Sequence, residues 1–111
     1  MRIPNGEHAD LGAKIEDYIL NATHPEGKHK ARVFESVLGI TLENADVLRT
    51  ALRDAAGTST SAIGRCDNGF GELYVLEFML TTDVGSGTVL SVWIVRHGED
   101  FPRLVSAYIV R

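Results

Sequence analysis

Ten consecutive residues, Thr23-His24-Pro25-Glu26-Gly27-Lys28-His29-Lys30-Ala31-Arg32, hold the densest chemistry in the chain. Five of them are basic or titrate near neutrality, and only Glu26 opposes them. Imidazoles such as His24 and His29 move protons near working pH. Ammonium and guanidinium groups such as Lys28, Lys30 and Arg32 hold anions. Thr23 and Glu26, three apart with Pro25 between them, read as a capping box that opens a helix. Free backbone N–H groups at a helix start favour an anion, and phosphate is the natural guest. Lys30 precedes Val33 and Phe34 by three and four residues, so it lies on the edge of the apolar stripe. Lys28 and Arg32 form a like-charge i, i+4 pair that an anion between them would relieve. A plain solvated patch is the competing reading, but cations at a helix start sit at the wrong end of the dipole.

A second group lies near the C-terminus, in Arg103-Leu104-Val105-Ser106-Ala107-Tyr108. In a regular strand Ser106 and Tyr108 share one face and Arg103 takes the other. Ser106 and Tyr108 are hydroxyls in an apolar strand. They either satisfy themselves locally or orient a ligand, and Arg103 is a second candidate clamp for phosphate. His97, Glu99 and Asp100 share a turn with no second ligand set, so neither a metal nor another cofactor is expected. Cys66 is the single cysteine. It can form no internal disulfide and reads as a buried structural thiol. Gly69-Phe70-Gly71 lacks a phosphate-loop pattern, and no Gly-x-Ser-x-Gly elbow occurs.

The hydrophobic period dictates which elements must position these groups. Ile15, Tyr18 and Ile19 predict a short helix over roughly 12–21. A second helix follows the capping box, with Ala31, Phe34, Val37 and Leu38 inward and Gly39 as its stop. Thr41 caps a third, with Leu42, Ala45, Leu48, Leu52 and Ala55 inward, ending at Gly57. Beyond Gly57 the period drops to two, which predicts strands over 61–66, 73–81, 89–96 and 103–110. Asp67-Asn68-Gly69 and Gly85-Ser86-Gly87 read as hairpin connections. The predicted fold class is α+β: about three N-terminal helices packed on a four-stranded antiparallel meander.

The chain has 111 residues, and one domain over 1–111 is expected. Eleven basic against fifteen acidic residues give a net charge of −4, which excludes a long basic nucleic-acid track. Apolar stretches fall far short of the ~18 residues of a membrane span. No signal-peptide core is present, so no membrane partner and a cytoplasmic location are expected.

The run Thr23-His24-Pro25-x-Gly27-x-His29-Lys30-Ala31-Arg32-x-Phe34, with Ile3-Pro4-Asn5, Trp93-Ile94, Gly98-Glu99-Asp100 and Pro102-Arg103-Leu104-Val105-Ser106-Ala107-Tyr108, resembles a family of small bacterial proteins. That family is known only as a domain of unknown function. Its members stand alone or form the C-terminal piece of polymorphic-toxin or phage-associated proteins. More loosely, helices followed by a four-stranded meander are similar to the barnase, EndoU, colicin and RelE-type ribonucleases. The resemblance implies a metal-independent ribonuclease, toxin-related, in which a ribose 2′-OH attacks the adjacent phosphorus. It implies His24 or His29 as base and acid, and Lys28, Lys30, Arg32 and Arg103 around the phosphate. Ser106 and Tyr108 would donate or orient. The implied partners are an RNA substrate and an immunity or antitoxin protein. The competing expectation is a non-catalytic module holding an acidic partner or a nucleotide-like ligand.

Overall fold

The computed structural model describes residues 1–110. Helical turns and helices come first: a 3₁₀ turn at Gly6–His8, a π-helical turn at Ile15–Ile19, α1 at Lys28–Leu38, a 3₁₀ turn at Leu42–Asn44 and α2 at Ala45–Thr58. Four strands follow, β1 at Ile63–Asp67, β2 at Gly71–Thr81, β3 at Ser86–Arg96 and β4 at Arg103–Val110. They pair antiparallel in the order β1-β2-β3-β4, a meander. The change of hydrophobic period near Gly57 therefore marks the true division between helices and sheet.

Gly39 ends α1 in the left-handed conformation at φ 67°, which a glycine adopts without a Cβ penalty. Thr41 caps the 3₁₀ turn that leads into α2, accepting from the Glu43 N–H while Asn44 accepts from the Thr41 N–H. The buried faces follow the predicted stripes except at Leu42, which was expected inward but lies in the 3₁₀ turn ahead of α2 and is exposed. Phe34 and Leu38 of α1 and Leu48 and Leu52 of α2 are fully buried. α1 lies against β3 and β4, and α2 against β2. Between them Leu76, Val89, Trp93, Leu104 and Ala107 form the inner face of the sheet. The Trp93 indole N–H donates to Ser91 Oγ, and Ser91 donates to the Leu76 carbonyl, so the buried polar atoms are satisfied.

Five further local readings need correction. The first predicted helix is a single π-helical turn, closed by the Leu20 N–H donating to the Ile15 carbonyl at 2.9 Å. The Thr23–Glu26 capping box does not form; Thr23 bonds back to Asn21, and α1 starts at Lys28. The second hairpin turns at Thr82–Gly85, and Ser86 and Gly87 belong to β3. Cys66 is exposed, because every residue of the edge strand β1 is. Finally, a bulge interrupts β4. Val92 faces Ser106 while its neighbour Trp93 faces Leu104, leaving Val105 unpaired. This extra residue resets the alternation and brings Arg103 onto the same face as Ser106 and Tyr108, opposite to the helices. One isolated parallel bridge, Asp10 with Arg103, lies outside the meander and covers the start of the β4 edge.

Candidate functional site

The first turn of α1 carries Lys30 beside the buried Phe34, which sends its stem along the core margin toward the edge of β4. There its ammonium donates to the Tyr18 hydroxyl at 2.7 Å and to Ser106 Oγ at 3.2 Å. The same nitrogen lies 4.7 Å from the Tyr18 ring centre and 5.6 Å from that of Tyr108. Two hydroxyls and two ring faces steady the cation without cancelling it. Among the described residues no carboxylate pairs with Lys30. The close approach of Gly27 makes this possible: a Cβ there would run into the Tyr18 carbonyl, so only glycine lets the two segments meet.

Arg103 borders the same groove in the opposite state. Its guanidinium grips both oxygens of Glu99, at 2.9 and 2.8 Å, and Asp10 at 3.0 Å. The hydrogen bonds from Arg103 hold the Glu99 carboxyl below the usual carboxylate range, and Glu99 in turn raises Arg103. Arg103 also rests over the Phe101 ring at 5.0 Å. Three of its five N–H donors, and its charge, are committed to these two carboxylates.

His24 takes an unexpected position. Its Nδ1 accepts from the backbone N–H groups of both Glu26 and Gly27, each at 3.0 Å. The imidazole thus caps the turn that leads into α1, whose own N-cap, Gly27, makes no side-chain bond, and it fills donors that an anion was expected to meet. Because Nδ1 is the acceptor, the ring proton is assigned to Nε2. The ring packs edge-on against Tyr18, 4.9 Å between centres. In this state His24 is a fixed hydrogen-bond donor. It has no lone pair left to act as a base.

Two grooves flank Lys30. The larger, about 670 Å³, is bordered by Tyr18, His24, Lys30, Arg103 and Ser106, with the acidic Asp10, Asp17 and Glu26 and the basic Lys14 and Arg96 also in its lining. The smaller, about 230 Å³, runs between α1 and β4 and is lined by His29, Lys30, Val33, Tyr108 and Ile109. The sequence-derived candidates therefore split. His24, Lys30, Arg103 and Ser106 meet in one groove, while His29 and Tyr108 lie in the other. Lys28 and Arg32 line neither. Tyr18 was missed as a site residue. Its hydroxyl looked incidental on a stripe shared with Ile15 and Ile19, and no signal in the sequence shows the wider turn that turns it toward Lys30.

No curated protein resembles this sequence closely enough to match. In fold, the chain is similar to a solved chain of the contact-dependent growth inhibition toxin–immunity protein complex from Klebsiella pneumoniae 342. The TM-score is 0.72 over 96% of this chain and 97% of that one, at 15% identity. At that identity the likeness concerns the fold. The sequence itself matches the model of a family described as Domain of unknown function (DUF6883) from residue 2 to residue 111, and the chain belongs to that family.

Proposed function

We propose that this domain is a metal-independent ribonuclease of the toxin type, acting on RNA in the cytoplasm and restrained by an immunity or antitoxin protein. The observation that carries the reading is the Lys30 ammonium, held at a groove by hydroxyls and rings and paired with no carboxylate among the described residues. A cation kept this way is suited to a phosphodiester. The fold neighbour from a toxin–immunity complex supports the toxin setting.

The chemistry divides among few groups. His29, whose ring is not engaged in the cap, takes the 2′-OH proton as the oxygen attacks phosphorus. The P–O5′ bond breaks, and the Lys30 ammonium gives its proton to the leaving 5′-oxygen. The products are a 2′,3′-cyclic phosphate and a 5′-hydroxyl, and solvent returns the protons. His24 Nε2–H and the Ser106 hydroxyl face the developing charge as fixed donors. Tyr108 orients the nucleotide. Lys28 and Arg32 contribute only at long range, and Arg103 holds the groove wall. Incubating the purified protein with total RNA, with and without EDTA, tests this. Cyclic phosphate ends in both samples, absent with Lys30→Met, are expected. Intact RNA across pH 5–9 from the folded wild type overturns it.

A second reading rests on Asp10, Asp17 and Glu26, which border the same groove. A groove of mixed charge, with Lys14 and Arg96 also on its border, and a net charge of −4 suit a compact ligand better than a long polyanion. On this reading the domain is a non-catalytic module for a nucleotide-like ligand. Mononucleotide binding by a protein that leaves RNA intact would favour it.

A further inference from the structure

A phosphodiester places one nucleoside on each side of a phosphate. The structure has a corresponding arrangement: two grooves that share Lys30 and no other lining residue. If the phosphate lies on that ammonium, as the proposed function requires, the smaller groove receives what is attached to one side of it. Its volume, about 230 Å³, is below the roughly 300–1,000 Å³ of ordinary ligand pockets. That is room for a flat ring. Its lining is chemically suited to such a ring. Tyr108 offers an exposed aromatic face, His29 a second planar group, and Val33 and Ile109 an apolar floor. Base–aromatic stacking needs such a face and tolerates any base.

The backbone adds a means of discrimination. β4 is an edge strand, so its outer side carries N–H and C=O groups with no strand partner. Asp10 takes up only the start of that edge, through the Pro102 carbonyl and the Leu104 N–H. Past Leu104 no backbone hydrogen bond among the described residues takes up this edge, and its alternating donors and acceptors can meet the rim of a base.

We infer that the groove between α1 and β4 is a nucleobase subsite, with Tyr108 as its stacking platform and the adjoining phosphate on Lys30. This inference rests on the proposed function for the phosphate position and adds the base position. The test is binding without turnover. Inorganic phosphate, ribose 5-phosphate and nucleoside monophosphates are titrated into the wild type, Tyr108→Ala, Tyr108→Phe and Lys30→Met, followed by NMR shifts of the α1 and β4 amides. Nucleoside monophosphates should bind more tightly than ribose 5-phosphate. Tyr108→Ala should remove that gain, about 5- to 150-fold for a stacked base, and Tyr108→Phe should keep it. Lys30→Met should weaken all three ligands alike. A base that adds nothing to affinity, or a gain that survives Tyr108→Ala, overturns the subsite while leaving the phosphate position on Lys30 intact. A folded wild type that binds none of the three overturns both.

Discussion

Lys30 and Arg103 border one groove and carry the same charge, yet the protein treats them oppositely. Arg103 is neutralised by Glu99 and Asp10 in a planar, bidentate grip and ties the N-terminal segment to the start of β4. Lys30 is held by a phenol, a serine hydroxyl and two rings, none of which removes its charge. A cation with its counter-ions in place contributes to structure. A cation desolvated along its stem and left without a counter-ion costs stability, and such costs are found where a protein binds something. The pair teaches that lining a groove does not make a residue part of its chemistry; the partners it already has decide that.

The contrast is easiest to break at Lys30. Lys30→Met should lower RNA cleavage by about 10²–10⁴-fold, the range for a positioned acid–base group, while the melting temperature holds or rises. A large drop in melting temperature with cleavage intact would make Lys30 structural and erase the distinction. Arg103→Met should do the reverse. It strands the Glu99 and Asp10 carboxylates, so thermal stability falls, while cleavage per folded molecule drops far less than in Lys30→Met.

Acid sharpens the same comparison. Glu99 and Asp67 both have carboxyls held below the usual range, Glu99 by its hydrogen bonds from Arg103 and Asp67 chiefly by its hydrogen bond with His97. A depressed folded-state value gives stability that is fully present above the unfolded carboxylate range near pH 4 and is lost as pH falls through the folded value. Thermal melts from neutrality down to about pH 3 should show that loss in the wild type. The loss should shrink in Arg103→Met, which no longer holds Glu99 down, and remain in Lys30→Met.

Two smaller effects probe His24 and Ser106. His24→Ala should cost about 1 kcal/mol through the lost cap, whereas His24→Asn, whose amide oxygen can stand in for Nδ1, should keep the melting temperature. Both should slow cleavage, since both remove the Nε2 donor. A His24→Asn protein with full activity would reduce His24 to its cap. Ser106→Ala should cost least, about one hydrogen bond or 0.5–1.5 kcal/mol in the cleavage barrier.

The fold was largely legible in the sequence because it follows from periodicity. The stripes of α1 and α2 and the alternation of β2 to β4 are local patterns. Lys30 was legible for the same reason, since its spacing from Phe34 fixes it at the core margin. What sequence could not show came from tertiary fit. The bulge at Val105 has no local signature in Leu104-Val105-Ser106, yet it decides which face Arg103 joins. Asp10 is 93 residues from the Arg103 it neutralises. His24 rather than Thr23 caps the turn that leads into α1, Thr23 being drawn back to Asn21. Cys66 was judged by the habits of its residue type, and the edge position of β1 overrode them.

The π-helical turn at Ile15–Ile19 makes chain length a control on chemistry. Ile15 and Ile19 both stay fully buried, and Tyr18 between them reaches Lys30. Closing on the fifth residue rather than the fourth spreads the turn, which sets the direction in which Tyr18 leaves it while Ile15 and Ile19 stay buried. Deleting a single residue from this turn, Glu16 for instance, would tighten it and draw the phenol back toward the core. The chain would lose one of the two hydroxyls on its lysine with every polar site residue still present. A descendant lineage could therefore silence or retune the groove by a one-codon deletion, leaving no substitution in the site itself to mark the change.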